Sequence, residues 1–258
     1  GLATATGTAI SAPLRHSPTP YSQNFNLGIQ YQLPGEWLLE AAYAGSRGVN
    51  LISPTNTGFN QLPVSAMSLG AQLLTPVKNP FYGVITNPGA LSGATVQTRY
   101  LMAPYPQFTG VGWGYQPGAS SVYHSLQLRV EKRLTRDLGL LVAFTGGKMM
   151  DDASSNNTAN FNGNGTSQDF NNRRGDWSLS TADVSSRFVA SVVYSLPFGR
   201  NKQFGADWER LTDALLGGWQ ANAIAVFQAG QPLALSASNV ANIFNPGSRP
   251  NNSGTSAK

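Results

Sequence analysis

From Phe25 to Leu33 the chain alternates strictly. Phe25, Leu27, Ile29, Tyr31 and Leu33 take the odd positions, and Asn26, Gly28, Gln30 and Gln32 fill the even ones. Successive side chains of a strand point to opposite faces, so this pattern puts two chemistries on the two sides of one ribbon. Pro34-Gly35-Glu36 supplies a tight turn. Trp37 to Ala44 returns with Trp37, Leu39, Ala41 and Tyr43 on one side, which predicts a hairpin over about 21–45.

The unit recurs. Tyr123 to Leu134 sets Leu126, Leu128 and Val130 against Gln127, Arg129, Glu131 and Arg133, and Thr135-Arg136-Asp137 turns the chain into Leu138 to Lys148. There Leu138, Leu140, Val142 and Phe144 share a face, giving a second hairpin over about 122–148. A third, over about 186–230, aligns Phe188, Ala190, Val192, Tyr194 and Leu196, then Trp219, Ala221, Ala223, Ala225 and Phe227. Short helical stretches are expected at Ser65 to Leu74 and Asp207 to Leu216, each packing on its own connection. Long polar connections separate the hairpins, about 46–121 and 149–185. Compact soluble domains seldom keep unstructured connections beyond about 15 residues. Short turns at one end and long loops at the other is the asymmetry of membrane β-barrels, whose tilted spans need about 9–11 residues. The expected fold is all-β: an antiparallel up-and-down meander of about six to eight long strands, part of a large transmembrane β-barrel with long loops on one rim.

Composition agrees with that fold. Charged residues make up only 11% of the 258 residues, against about 25% in an ordinary soluble domain. Gly, Ser, Asn, Thr and Gln take their place. A barrel wall meets lipid on one face, where charge is costly, and needs only polarity on the other. There is no cysteine, so disulfides and thiol chemistry are excluded. The net charge of +5 is scattered without a basic run, which argues against a nucleic-acid partner. No apolar stretch approaches the roughly 18 residues of a spanning helix. The opening Gly-Leu-Ala-Thr and the Ser/Asn/Gly-rich end both read as cuts in a longer chain.

An ordered set of motifs then points to a family. Tyr21-Ser22-Gln23-Asn24-Phe25-Asn26-Leu27-Gly28-Ile29-Gln30, Leu33-Pro34-Gly35 and Ala42-Tyr43-Ala44-Gly45-Ser46-Arg47-Gly48 are followed by Asn79-Pro80-Phe81-Tyr82-Gly83 and Pro104-Tyr105-Pro106-Gln107-Phe108-Thr109-Gly110. Further on come Tyr123-His124-Ser125-Leu126-Gln127, Val130-Glu131-Lys132-Arg133, Leu196-Pro197-Phe198-Gly199-Arg200 and Gly217-Gly218-Trp219-Gln220. Over about 21–232 the chain resembles Oar-like TonB-dependent receptors. The resemblance implies the latter part of a large barrel in the outer membrane of a Gram-negative bacterium, whose lumen is closed by a plug. Its implied partners are outer-membrane lipid, the rest of its own barrel and plug, the TonB complex reached through an N-terminal part, and a large external ligand. A plug, a TonB-contacting segment and a closing strand that ends in an aromatic residue are not seen in the sequence.

Catalytic and cofactor chemistry finds little support. The two histidines, His16 and His124, lie far apart, and no Gly-x-Ser-x-Gly elbow occurs. Gly110-Val111-Gly112-Trp113-Gly114 lacks the spacing and context of a phosphate loop. Asp151, Asp152, Asp169 and Asp176 sit among many Asn and Gly residues, without the spacing of a calcium loop. The chain is read as a non-enzyme without a cofactor.

The residues expected to carry function are of three kinds. Gln127, Arg129, Glu131, Arg133 and Arg187 are expected to face the lumen or plug. Phe161, Phe170, Arg173, Arg174 and Trp177, in the second long loop, are candidates for gripping a polymeric ligand by stacking and hydrogen bonding. Tyr21, Trp37, Tyr43, Tyr194, Trp219 and Phe227 are candidates for the membrane–water boundary, where rings with a polar handle are favoured.

The expected function is a section of the barrel wall of a TonB-dependent receptor or transporter passing a large solute. A soluble β-sandwich or adhesin-type binding module is the alternative, and the low charge argues against it. An outer-membrane hydrolase is a second, disfavoured by the scarcity of histidine. Within the six strands as delimited here, charge stays off the apolar parity except at Lys132, near a strand end where its stem can snorkel.

Overall fold

The computed structural model describes residues 5–53, 58–113, 116–135, 137–152, 169–200 and 202–233. In chain order its strands are β1 (Ala9–Ala12), β2 (Tyr21–Leu33), β3 (Trp37–Ser53), β4 (Pro76–Lys78), β5 (Thr95–Gln97) and β6 (Gly110–Trp113). They continue with β7 (Gln116–Thr135), β8 (Leu138–Asp151), β9 (Ser178–Leu179), β10 (Ser186–Ser195) and β11 (Gln220–Gln228). Two short α-helices are α1 (Thr98–Leu101) and α2 (Arg210–Leu216).

One seven-stranded sheet dominates. Its order is β11-β10-β8-β7-β3-β2, with β9 added at the far end of β8. Every pairing in it is antiparallel. Strands adjacent in this wall follow one another along the chain, so it is an up-and-down meander, as the alternation predicts. The β2–β3 turn places Gly35 and Glu36 at φ 80° and 65°, the left-handed region that glycine enters freely and glutamate at a cost.

The strands outrun their sequence limits at the loop end. β3 continues to Ser53, β7 already begins at Gln116, and β8 ends at Asp151. Alternation blurs there because Gly45, Gly48, Ser121 and Gly147 offer no contrast between faces, while backbone pairing continues. Register shifts between Gly48 and Leu51, and again between Leu51 and Ile52, bend this extension.

The first long connection is not a loose polar loop. It folds as a small cap with two cores of its own. Leu62, Ala66 and Leu73 form one, within a run of 3-10 turns over Val64–Leu74 that is broken at Gly70. Ile85, Leu91 and Val96 form the other, against the β4–β5 pair. Buried Asn79 knits the second together: its Nδ2 donates to the Leu91 and Gly93 carbonyls, and its Oδ1 accepts from the Phe81 amide. The Asn79-Pro80-Phe81-Tyr82-Gly83 motif thus has a structural role. β1 pairs with β6 in parallel in this same region.

Buried apolar side chains lie almost wholly in that cap. The sheet has no covered face among the described residues. Leu27 and Ile29 are each 71% exposed, and Phe227 67%. No helix among the described residues is long and apolar enough to cross a membrane.

Candidate wall faces and loop rim

Pairing register converts six alternating strands into two continuous surfaces. On one, directly opposed residues run Ile29–Ala41–Leu128–Phe144–Phe188–Phe227 across β2, β3, β7, β8, β10 and β11. The next row towards the short turns runs Tyr31–Leu39–Val130–Val142–Ala190–Ala225, and the one beyond it Leu33–Trp37–Lys132–Leu140–Val192–Ala223. Towards the loops comes Leu27–Tyr43–Leu126–Gly146–Ser186. Six separate stripes become one apolar sheet face.

Two boundaries bracket it. Near the short turns, Lys132 sits opposite Trp37 with its Nζ 5.3 Å from the ring centroid. The one cation the sequence leaves on this parity is therefore held over an aromatic face at a strand end. Tyr194 opposes Leu138 and Ala221 at the same end, and the Trp219 carbonyl accepts from the Leu196 amide there. Near the loops, Phe25, Tyr43 and His124 form a ring cluster with centroids 6.0–6.4 Å apart, and Tyr43 Oη and His124 Nδ1 share a hydrogen bond. Gly45 is required there, because a Cβ would lie 2.3 Å from the Phe25 ring. Tyr21 pairs with Val49 beyond them, while Phe227 stands in the central aromatic row. One sequence expectation needs correcting: Lys132 is not alone on the apolar parity. Lengthened β3 carries Arg47 onto it, and Lys148, the last residue of its strand as delimited from the sequence, shares the parity of Phe144 at the same loop boundary.

The opposite surface is polar over β2, β3 and β7. Its rows run Gln32–Leu38–Glu131–Leu141, Gln30–Glu40–Arg129–Ala143 and Gly28–Ala42–Gln127–Thr145–Arg187. The sequence candidates Gln127, Arg129, Glu131 and Arg187 therefore share one face, and Arg133 follows them where the register shifts. Register adds what no single strand reveals: Glu40 opposes Arg129, whose guanidinium reaches Glu131 at 2.6 Å and Glu40 at 3.9 Å. Over β8, β10 and β11 this face carries an apolar patch, Leu141, Ala143, Val189, Ile224 and Val226, framed by Arg187, Gln228, Ser191 and Asn222. Ile224 is 75% exposed.

At the rim the two long connections grip each other. Gln61 Nε2 donates to Asp169 Oδ1, and the Phe170 amide donates to Gln61 Oε1, both at 2.7 Å. Phe59 meets Phe170 and Trp113 edge-on. A Cβ on Gly58 would lie 2.0 Å from the Phe170 ring, so the backbone needs glycine there. Of the loop candidates, Arg173, Arg174 and Trp177 line one open groove together with Gly118, Ser120 and Asp152. Phe170 is engaged in the clasp, and Phe161 lies outside the described residues. Arg173 pairs with Asp152 at 3.4 Å, and Asp152 also accepts from the Ser120 amide. Among the described residues no cluster of three or more His, Asp or Glu could hold a metal ion. Asp152 and Asp169 instead bind the rim together.

A family model described as "Outer membrane beta barrel domain" matches residues 1–258. No curated protein and no solved structure matches the chain. A meander wall with one unbroken apolar face, long connections gathered at one end, and a family match along its whole length agree with one another: the chain belongs to the outer membrane beta barrel domain family and is an outer-membrane protein.

Proposed function

We propose that this chain is wall from a TonB-dependent receptor of a Gram-negative bacterium, its apolar face towards lipid and its polar face towards a plugged lumen. The observation that carries the reading is the changing character of the inner surface. A water-filled pore asks for polarity all round. Here Gln127, Arg129, Glu40 and Glu131 line one part, while Leu141, Val189, Ile224 and Val226 make an apolar patch within the adjoining part, framed by Arg187, Ser191 and Asn222. An apolar patch inside a barrel favours cover, and a plug would supply it. The polar part gives that plug ion pairs and hydrogen bonds to slide against.

The rim supports uptake of something large. Arg174 and Trp177 are exposed beside the Arg173–Asp152 pair, offering a stacking surface and, among the described residues, one free cationic fork. An extended oligosaccharide or peptide fits such a groove better than a compact solute. The TonB complex, acting through the plug, would drive release into the lumen.

The test uses cells making the full-length protein, supplied with labelled oligosaccharides and oligopeptides graded in size. Expected is accumulation of at least one large probe that stops when an uncoupler collapses the proton gradient. Deleting 156–174 should abolish the same uptake. Passage that ignores the uncoupler would overturn energy-coupled gating, and uptake unchanged by the deletion would remove the loop from ligand capture.

A further inference from the structure

The apolar face is free of charge between two boundaries. Lys132 marks one and Arg47, with Lys148, the other. Gly45, His124 and Lys148 lie in one row across β3, β7 and β8, and Arg47 lies in the next row towards the loops, opposite Val122. Directly opposed side chains have Cβ atoms about 5 Å apart and diagonal ones about 7–8 Å. His124 is thus directly opposite Lys148 and diagonal to Arg47. The two cations flank it about 12 Å apart, a patch in which their long side chains can meet one headgroup between them. All three residues are exposed. Among the described residues none of them belongs to an ion pair.

Height places the patch. From the Trp37 row to the Arg47 row is ten residues, about 33 Å along a strand. At a tilt of about 40° that is about 25 Å of vertical rise, the height of the apolar band of an outer-membrane barrel. Arg47, His124 and Lys148 thus stand where lipid chains give way to headgroups on the loop side. Below them, Phe25 and Tyr43 offer flat apolar rings, and Gly45 leaves a dip over which the Phe25 ring lies. His124 Nδ1 is engaged with Tyr43 Oη, which leaves Nε2 for an outside partner.

We infer that this patch binds the anionic phosphate headgroup of an outer-leaflet lipid. Arg47 and Lys148 supply charge, His124 a hydrogen bond, and the Phe25–Tyr43 rings the seat for the first carbons of the chains. Arginine takes phosphate oxygens in its planar fork and lysine takes them as a point charge. Positive charge alone would favour any anion. The greasy floor beneath it commits the site to a lipid. This inference rests on the outward assignment of the apolar face and is independent of energy coupling.

The full-length protein containing this wall, reconstituted in mixed vesicles and released into detergent, is examined by native mass spectrometry for retained phosphatidic acid against phosphatidylcholine of the same chain length. Expected is a preference for phosphatidic acid that falls about tenfold or more in the Arg47→Gln/Lys148→Gln double variant, at about a few-fold per charge. It should survive in the charge-preserving Arg47→Lys/Lys148→Arg variant and in Arg129→Gln on the other face. Equal retention of the two lipids, or an equal loss in Arg129→Gln, overturns the site. Release of the lipid by millimolar inorganic phosphate also overturns it, since the site would then take free anions. A Leu128→Trp reporter in the same vesicles separates the two levels. Quenching by brominated lipid with no headgroup preference rejects only the phosphate site, whereas absence of quenching rejects the outward assignment itself.

Discussion

At the scale of single residues, parity decides what a position tolerates. Leu128 sits in the middle of the apolar face between Ala41 and Phe144, and Gln127, one residue away, sits between Ala42 and Thr145 on the other. Leu128→Arg should therefore cost about 2–4 kcal/mol of stability in vesicles, and Gln127→Arg less than about 1 kcal/mol. Denaturant titration of the vesicle-folded protein measures both, and equal costs would mean that the two faces meet the same medium. This sidedness is legible in the sequence, because Leu126, Leu128 and Val130 alternate with Gln127, Arg129 and Glu131. So is the exception at Lys132, though only the structure supplies its partner, Trp37, from a neighbouring strand. Arg47 and Lys148 are missed because each lies where glycine and serine interrupt the contrast between faces. Counting parity onward from Tyr43 and Phe144 would have found them.

At the scale of elements, hairpins are legible and connections are not. The turns at 34–36 and 135–137 are marked by Pro, Gly and Asp, and the strands on either side by period two. The cap is built differently. Its two cores draw on Leu62, Leu73, Ile85, Leu91 and Val96, scattered without a period and closed by contacts such as Asn79 to Leu91. Nothing local announces such packing. The clasp between the long connections is equally non-local, since Gln61 meets Asp169 and Phe170 more than a hundred positions away. It also makes a prediction. Gln61→Ala removes both of those hydrogen bonds, at about 1–3 kcal/mol for the Phe170 amide, which loses its acceptor. Hydrogen exchange at the Phe170 amide should then quicken about tenfold or more, while the wall strands keep their protection. Exchange unchanged at Phe170 would show that the ring contacts with Phe59 hold the clasp without Gln61.

For the whole molecule the deciding fact is that the sheet does not close. Among the described residues β2 and β11 each pair on one side only, and each presents a row of backbone donors and acceptors along the other. With apolar residues exposed across one face as well, the chain by itself in water should associate through these edges instead of remaining monomeric. Size-exclusion chromatography with and without detergent tests this, and a monodisperse, cooperatively melting monomer without detergent contradicts it. The overall class was legible from low charge and long asymmetric connections, whereas the number of strands in a closed wall is not written in any local pattern.

The length of β7 has a consequence for where the protein meets its surroundings. Its 20 residues extend about 66 Å, roughly twice what a tilted crossing of the hydrocarbon needs. The excess lies on the side of the long connections, because β7 meets its short turn into β8 at the other end. The wall therefore rises past the hydrocarbon as a collar, and the Arg173–Trp177 groove, which includes Gly118 and Ser120 of that extension, stands clear of the lipid chains. A molecule too broad to enter between lipid headgroups would still meet the protein at that height.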